Sequence, residues 1–106
     1  MTNGAAFQAL FQQGKRIDRP SLVVLWREHE PGRRVGFAVS RQLGGAVARN
    51  RARRRIREAY RATRAAAPPD VGLIVIGKAR ALTAPFETLI QELRAALASI
   101  PRRGPA

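Results

Sequence analysis

Residues 34–60 read RVGFAVSRQLGGAVARNRARRRIREAY, and the fold turns on how this stretch changes its period. In its first part Val35, Phe37 and Val39 alternate with small residues, the two-residue repeat of a half-buried strand. Gly44 and Gly45 then break the pattern and free the backbone. From Ala46 the repeat becomes helical: Ala48, Ala52, Ile56, Ala59 and Thr63 fall in one narrow sector at about 100° per residue. Asn50, Arg53, Arg54, Arg57, Arg61 and Arg64 fall around the opposite side. The spacing predicts a helix with one face to dock and one to offer. It ends near residues 65–67, because Pro68 and Pro69 cannot continue it.

The offered face is cationic. Between residues 49 and 64 the arginines are Arg49, Arg51, Arg53, Arg54, Arg55, Arg57, Arg61 and Arg64, against a single acid, Glu58. The whole chain of 106 residues carries a formal net charge of +13, with a pI near 12.0. Colloidal stability is served equally well by acids, so the excess points to a polyanionic partner, nucleic acid by default. Lys15 and Lys78 are the only lysines. An arginine bias suits RNA, whose phosphates and bases accept the planar guanidinium, although compositional drift of a genome gives the same bias.

Outward from the arginine helix, Phe7, Leu10, Phe11 and Gly14 read as a short amphipathic helix stopped at the glycine, with Lys15 and Arg16 near its end. Phe7 and Phe11 lie one turn apart and serve either a core or a stacking platform. Leu22 to Trp26 read as a strand, and the Pro31-Gly32 turn joins it to 35–39 as an antiparallel pair. After the arginine helix, VGLIVIG from Val71 is a continuous apolar run, a strand covered on at least one face. Phe86, Leu89, Ile90, Leu93, Leu97 and Ile100 recur at helical steps after Pro85, a helix that packs the sheet and carries little chemistry. The tail 101–106, PRRGPA, is expected to be disordered.

The order α-β-β-α-β-α implies an α+β fold, a small mixed sheet packed by helices, in a single RNA-binding domain spanning 1–106. If the strands flanking the arginine helix are parallel neighbours, that helix is their crossover, right-handed by the general rule.

Protein-based catalysis finds little support. The acids Asp18, Glu28, Glu30, Glu58, Asp70, Glu87 and Glu92 converge in no motif, which argues against a metal-dependent nuclease. Glu28 and Glu30 flank His29 in a predicted hairpin loop, where a solvated turn accounts for all three. There is no phosphate-binding glycine loop followed by Lys and Ser or Thr, and no glycine-flanked serine nucleophile. Without cysteine, and with one histidine, disulfides and ordinary zinc ligation are excluded. No run approaches the roughly twenty apolar residues of a membrane span and no targeting segment is evident, which implies a cytoplasmic protein with no membrane partner. A helix-turn-helix fits poorly, since strand and glycine turn precede the arginine helix.

At these residues the chain resembles the bacterial ribonuclease P protein component, the small basic subunit of a ribozyme that trims the 5′ leader from precursor tRNA. The family pattern of a strand ending in Val-Ser-Lys, a glycine turn, Ala-Val and Arg-Asn-Arg is matched here from Arg34 to Tyr60, with Arg41 in the place of the lysine. It extends weakly to FQALFQQGKR and DVGLIVIGK. The resemblance implies a ribosomal protein S5 domain 2-like sandwich with a left-handed crossover, against the general rule. By position it implies that Arg49, Asn50, Arg51, Arg53, Arg54, Arg57 and Arg61 meet the catalytic RNA. Phe7, Phe11, Arg16, Ser40, Arg41 and Lys78 would line or border the cleft for the single-stranded leader, which turns Phe7 and Phe11 into a stacking platform. The reaction it implies is endonucleolytic and Mg²⁺-dependent, with the metal held mainly by RNA, no catalytic side chain, no organic cofactor and no obligate protein partner. Protein alone would be inactive. The alternative is a ribosomal or general RNA-binding protein with no role in tRNA processing.

Overall fold

The computed structural model describes residues 14–28, 34–68 and 71–101. Four strands, β1 (Lys15–Asp18), β2 (Leu22–Glu28), β3 (Arg34–Val39) and β4 (Val71–Gly77), form one mixed sheet in the order β1-β2-β4-β3. Among the described residues three helices accompany it: α1 (Ala46–Thr63), the four-residue α2 (Arg80–Thr83) and α3 (Phe86–Ala98). The first expected helix, Phe7 to Gly14, lies outside the described residues apart from Gly14, as do the Pro31-Gly32 turn and the tail beyond Pro101.

Two expectations need correction. Lys15 and Arg16, expected only as the basic residues near the end of the first helix, begin an unanticipated strand, β1, which pairs antiparallel with β2 from Lys15 opposite Trp26 to Asp18 opposite Val23. Its one apolar residue, Ile17, is too weak a pattern to announce a strand, and β1 gains its partner only once β2 is in place. Lys15 adds a cation–π contact, its Nζ 5.2 Å from the Trp26 ring centre. Secondly, β2 and β3 run antiparallel but are not paired, because β4 lies between them, antiparallel to β2 and parallel to β3. The hydrophobic pattern explains the insertion. β2 and β4 are continuous apolar runs that must be covered on both faces and so take the centre, whereas alternating β3 has one apolar face and suits an edge. The parallel β3-β4 pair makes α1 their crossover, as expected.

The core sits between one face of the sheet and the helices. Leu22, Val24, Trp26, Leu73 and Val75 meet Ala52, Ile56 and Ala59 of α1 and Leu89, Leu93 and Leu97 of α3. Burial of each large aliphatic side chain contributes about 1.5–3 kcal/mol. Tyr60, absent from the sector read in the sequence, is also buried and meets Phe37 edge-on, ring centres 5.6 Å apart, which ties α1 to the edge strand. Val23, Leu25 and Ile74 form a second, smaller cluster on the opposite face.

The helix read as chemically quiet carries a buried carboxylate. Glu92 of α3 accepts hydrogen bonds from the Ser21 backbone N–H at 2.8 Å and its hydroxyl at 2.9 Å, tying the helix to the start of β2. Phe86, expected on the packing stripe of α3, is instead 41% exposed.

Candidate nucleic-acid interface

The turn between β3 and α1 aims the arginine helix. Ser40 accepts a hydrogen bond on its hydroxyl from the Gln42 N–H at 3.2 Å, and a single 3₁₀ turn, Arg41–Leu43, follows. Gly44 then adopts φ +126°, a conformation that L side chains rarely take, and Gly45 caps α1 without a side chain. The chain thus reverses in five residues and returns along β3.

α1 divides its residues as the period predicts. Ala52, Ile56, Ala59 and Thr63 are buried, while Asn50, Arg51, Arg53, Arg54, Arg57 and Arg61 are exposed and Arg49 is half-buried. The first turn contains no acid to offset the positive helix end. Arg53 donates to the Asn50 side-chain oxygen at 3.2 Å, which orients both groups outward, and Glu58 takes a longer 3.4 Å contact from Arg61. Between α1 and β3 opens a hollow of about 340 Å³, lined by Phe37, Ala38 and Val39 on the strand and by Ala46, Arg49, Asn50 and Arg53 on the helix. Arg49, Asn50 and Arg53 thus border a hollow whose strand side is Phe37, Ala38 and Val39.

One arginine of the run faces elsewhere. Arg55 is half-buried and donates to the Ala81 carbonyl at 2.7 Å and to the Ala84 carbonyl as well, spanning the α2 turn with both arms of its guanidinium. Sequence reading gave it no separate role, since its charge looks like its neighbours'. The signal available was position, as at about 100° per residue it borders the apolar sector on the side of Ala48 and Ala59.

A second cationic group lies at the end of the sheet. Lys78 follows β4, its N–H bonded to the Ser21 carbonyl at 2.9 Å, and the Ser40 N–H is bonded to the Gly77 carbonyl at 3.0 Å. The Lys78 ammonium donates to Asp18 at 2.6 Å, and Arg16 donates to the other Asp18 oxygen at 2.7 Å. Arg16 and Asp18 stand opposite Leu25 and Val23, so they share the sheet face turned away from the α1 and α3 core. The Arg16 hydrogen bond, followed by that of Lys78, lowers the Asp18 carboxyl to a pKa of about 2. The same contact raises Arg16 further above its ordinary value. Lys78, Ser40 and Arg16 therefore come together at one end of the sheet, with an acid among them that sequence reading left unassigned. Phe7 and Phe11 lie outside the described residues, as does the side chain of Arg41.

The model of the ribonuclease P protein family matches residues 1–101 of this chain. The chain belongs to the ribonuclease P protein family. Among curated relatives, the ribonuclease P protein component of Symbiobacterium thermophilum is 40% identical over 83% of this chain and 78% of its own length. That of Gluconacetobacter diazotrophicus is 36% identical over 94% and 89%. The solved ribonuclease P protein of Thermotoga maritima superimposes with a TM-score of 0.81 at 26% identity, covering 95% of this chain and 96% of that one. Membership makes this chain a protein component of ribonuclease P, and the α+β sandwich with its mixed sheet is the fold of that family. No described helix of this family member is long and apolar enough to cross a membrane.

Proposed function

We propose that this chain holds two RNAs together: the catalytic RNA of ribonuclease P against the exposed arginines of α1, and the 5′ leader of precursor tRNA along the end of the sheet. The observation that carries this reading is the separation of cations into two groups. Arg49, Arg51, Arg53, Arg54, Arg57 and Arg61 stand on the helix with the polar Asn50 among them, and Arg16, Arg41 and Lys78 belong to the sheet end beside Ser40. Two polyanions repel at close range, and each cation neutralising a phosphate lowers that repulsion and releases a counterion. Phe7 and Phe11 supply the stacking platform for leader bases in this reading.

Chemistry belongs to the RNA. In this reading the chain's side chains take no part in bond cleavage, and Mg²⁺ held by the RNA would supply the activated water for hydrolysis of the phosphodiester that joins the leader to the mature 5′ end. Among the described residues, no three His, Cys, Asp or Glu side chains come together to hold an ion. The protein's residues bind and position, in the cytoplasm, as a single RNA-binding domain.

Reconstitution tests the reading. Purified, RNA-free protein should leave precursor tRNA intact, and catalytic RNA with protein should cleave it at lower salt and Mg²⁺ than the RNA alone. Metal-dependent cleavage by the protein alone, or no gain over the RNA, would overturn it.

A further inference from the structure

The arginine helix has a second flank. Where its β3 side borders the hollow described above, its α2 side borders another, open and about 490 Å³ in volume, lined by Gly45, Ala46, Val47, Ala48, Arg51 and Leu82. This lies within the range of about 300–1,000 Å³ typical of small-molecule sites. Among the described residues that line it, Arg51 is the one charged or polar side chain. Val47 is 82% exposed, so it contributes almost nothing to the core.

A single exposed aliphatic side chain is ordinary, and a β-branched one is also a poor choice for an exposed helix position. What distinguishes Val47 is its setting. It shares a helical stripe with Arg51 and Arg54, at steps of four and three, and beside it lie the small side chains of Ala46 and Ala48 and the half-buried Leu82. The occupant must therefore be apolar where it meets Val47 and Leu82 and anionic where it meets the arginines. A nucleobase on its phosphate backbone satisfies both demands. An apolar protein segment satisfies the first alone and would have to bring its own acids to a helix whose first turn has none.

We infer that this hollow seats one unstacked base of the catalytic RNA against Val47 and Leu82, with Arg51 on the adjoining phosphate. The inference rests on the proposed function and deepens it: each flank of α1 serves RNA, the β3 side by charge around Asn50 and the α2 side by an apolar seat.

Salt dependence tests it, because an apolar contact releases no counterions. Binding of the full-length protein to the catalytic RNA would be measured across a salt series for the natural chain and for Val47→Ala, Val47→Lys and Arg57→Ala, with thermal unfolding of each. Val47→Ala should weaken binding by on the order of fivefold at every salt concentration while the salt slope stays unchanged. Val47→Lys decides further. On a merely basic surface the added cation would tighten binding and steepen the slope by about one unit; at a base seat it should weaken binding where salt is high. Binding by Val47→Ala equal to that of the natural chain, or tightening by Val47→Lys at high salt, would overturn the base seat. Arg57→Ala separates the two failures: an unchanged slope in that variant rejects the RNA-binding face itself, whereas a reduced slope with silent Val47 variants rejects only the seat.

Discussion

Lys78 reaches back sixty residues to donate to Asp18 at 2.6 Å, and Arg16 holds the other oxygen of the same carboxylate. Two of the cations assigned to the leader, Arg16 and Lys78, are thus already occupied by an acid of the protein itself. All three side chains are well exposed, so the pairs are worth little in stability, yet a leader phosphate must displace the carboxylate or share its partners. Asp18→Asn should therefore tighten holoenzyme binding of precursor tRNA by about two- to fivefold and leave mature tRNA unaffected. Parallel titrations of the two tRNA species check this, and equal tightening toward both would mean a general charge effect.

The same carboxylate sets a pH dependence. Its folded pKa of about 2 lies below the unfolded value of about 3.9, so its contribution is complete above the unfolded value and is lost as pH falls through the folded one. The melting temperatures of the natural chain and of Asp18→Asn should keep a constant difference above pH of about 5, and that difference should close as pH falls toward about 2. A gap that persists in acid would assign the stabilisation to something other than these pairs.

For the arginine helix, six phosphate contacts imply that raising salt from about 50 to 200 mM weakens binding to the catalytic RNA by on the order of a thousandfold. Arg53→Ala and Arg57→Ala should each lower the slope of that dependence by about one unit, with stability changed by no more than about 0.5 kcal/mol because both side chains are exposed. Slopes unchanged in both variants would move the RNA surface off α1.

What could be read in the chain and what could not divide along sequence distance. The switch from Val35, Phe37 and Val39 to Ala52, Ile56 and Ala59 is a local repeat, and it gave strand, turn and helix with ends correct to within a few residues. The cationic face of α1 followed from the same repeat. Sheet order did not, since the exchange of a β2-β3 pair for β2-β4-β3 depends on which strand needs two covered faces, a property of the assembled sheet. The Asp18 contact to Lys78 and the Glu92 contact to Ser21 join residues 60 and 71 positions apart, and nothing near either acid announces its partner. The base seat proposed at Val47 was equally hidden, because Leu82 arrives on a four-residue helix whose pattern is too short to read.

Arg54 and Arg55 are adjacent in sequence and opposite in consequence. The Arg54 side chain is exposed on the outer face of α1, whereas Arg55 closes the carbonyls of Ala81 and Ala84 at the end of α2. Hydrogen bonds from a charged donor contribute about 1.5–3 kcal/mol, and removing this one strands two part-buried acceptors. Arg55→Ala should thus cost on the order of 2–3 kcal/mol, which for a domain of this size lowers the melting temperature by about 10 °C or more. Arg55→Lys should recover only part of the loss, since an ammonium lacks the two-armed geometry that spans both carbonyls. Arg54→Ala should melt like the natural chain and yet lower the salt slope of RNA binding by about one unit. Thermal unfolding beside RNA titration distinguishes the pair, and equal stability in the two alanine variants would place Arg55 among the RNA contacts.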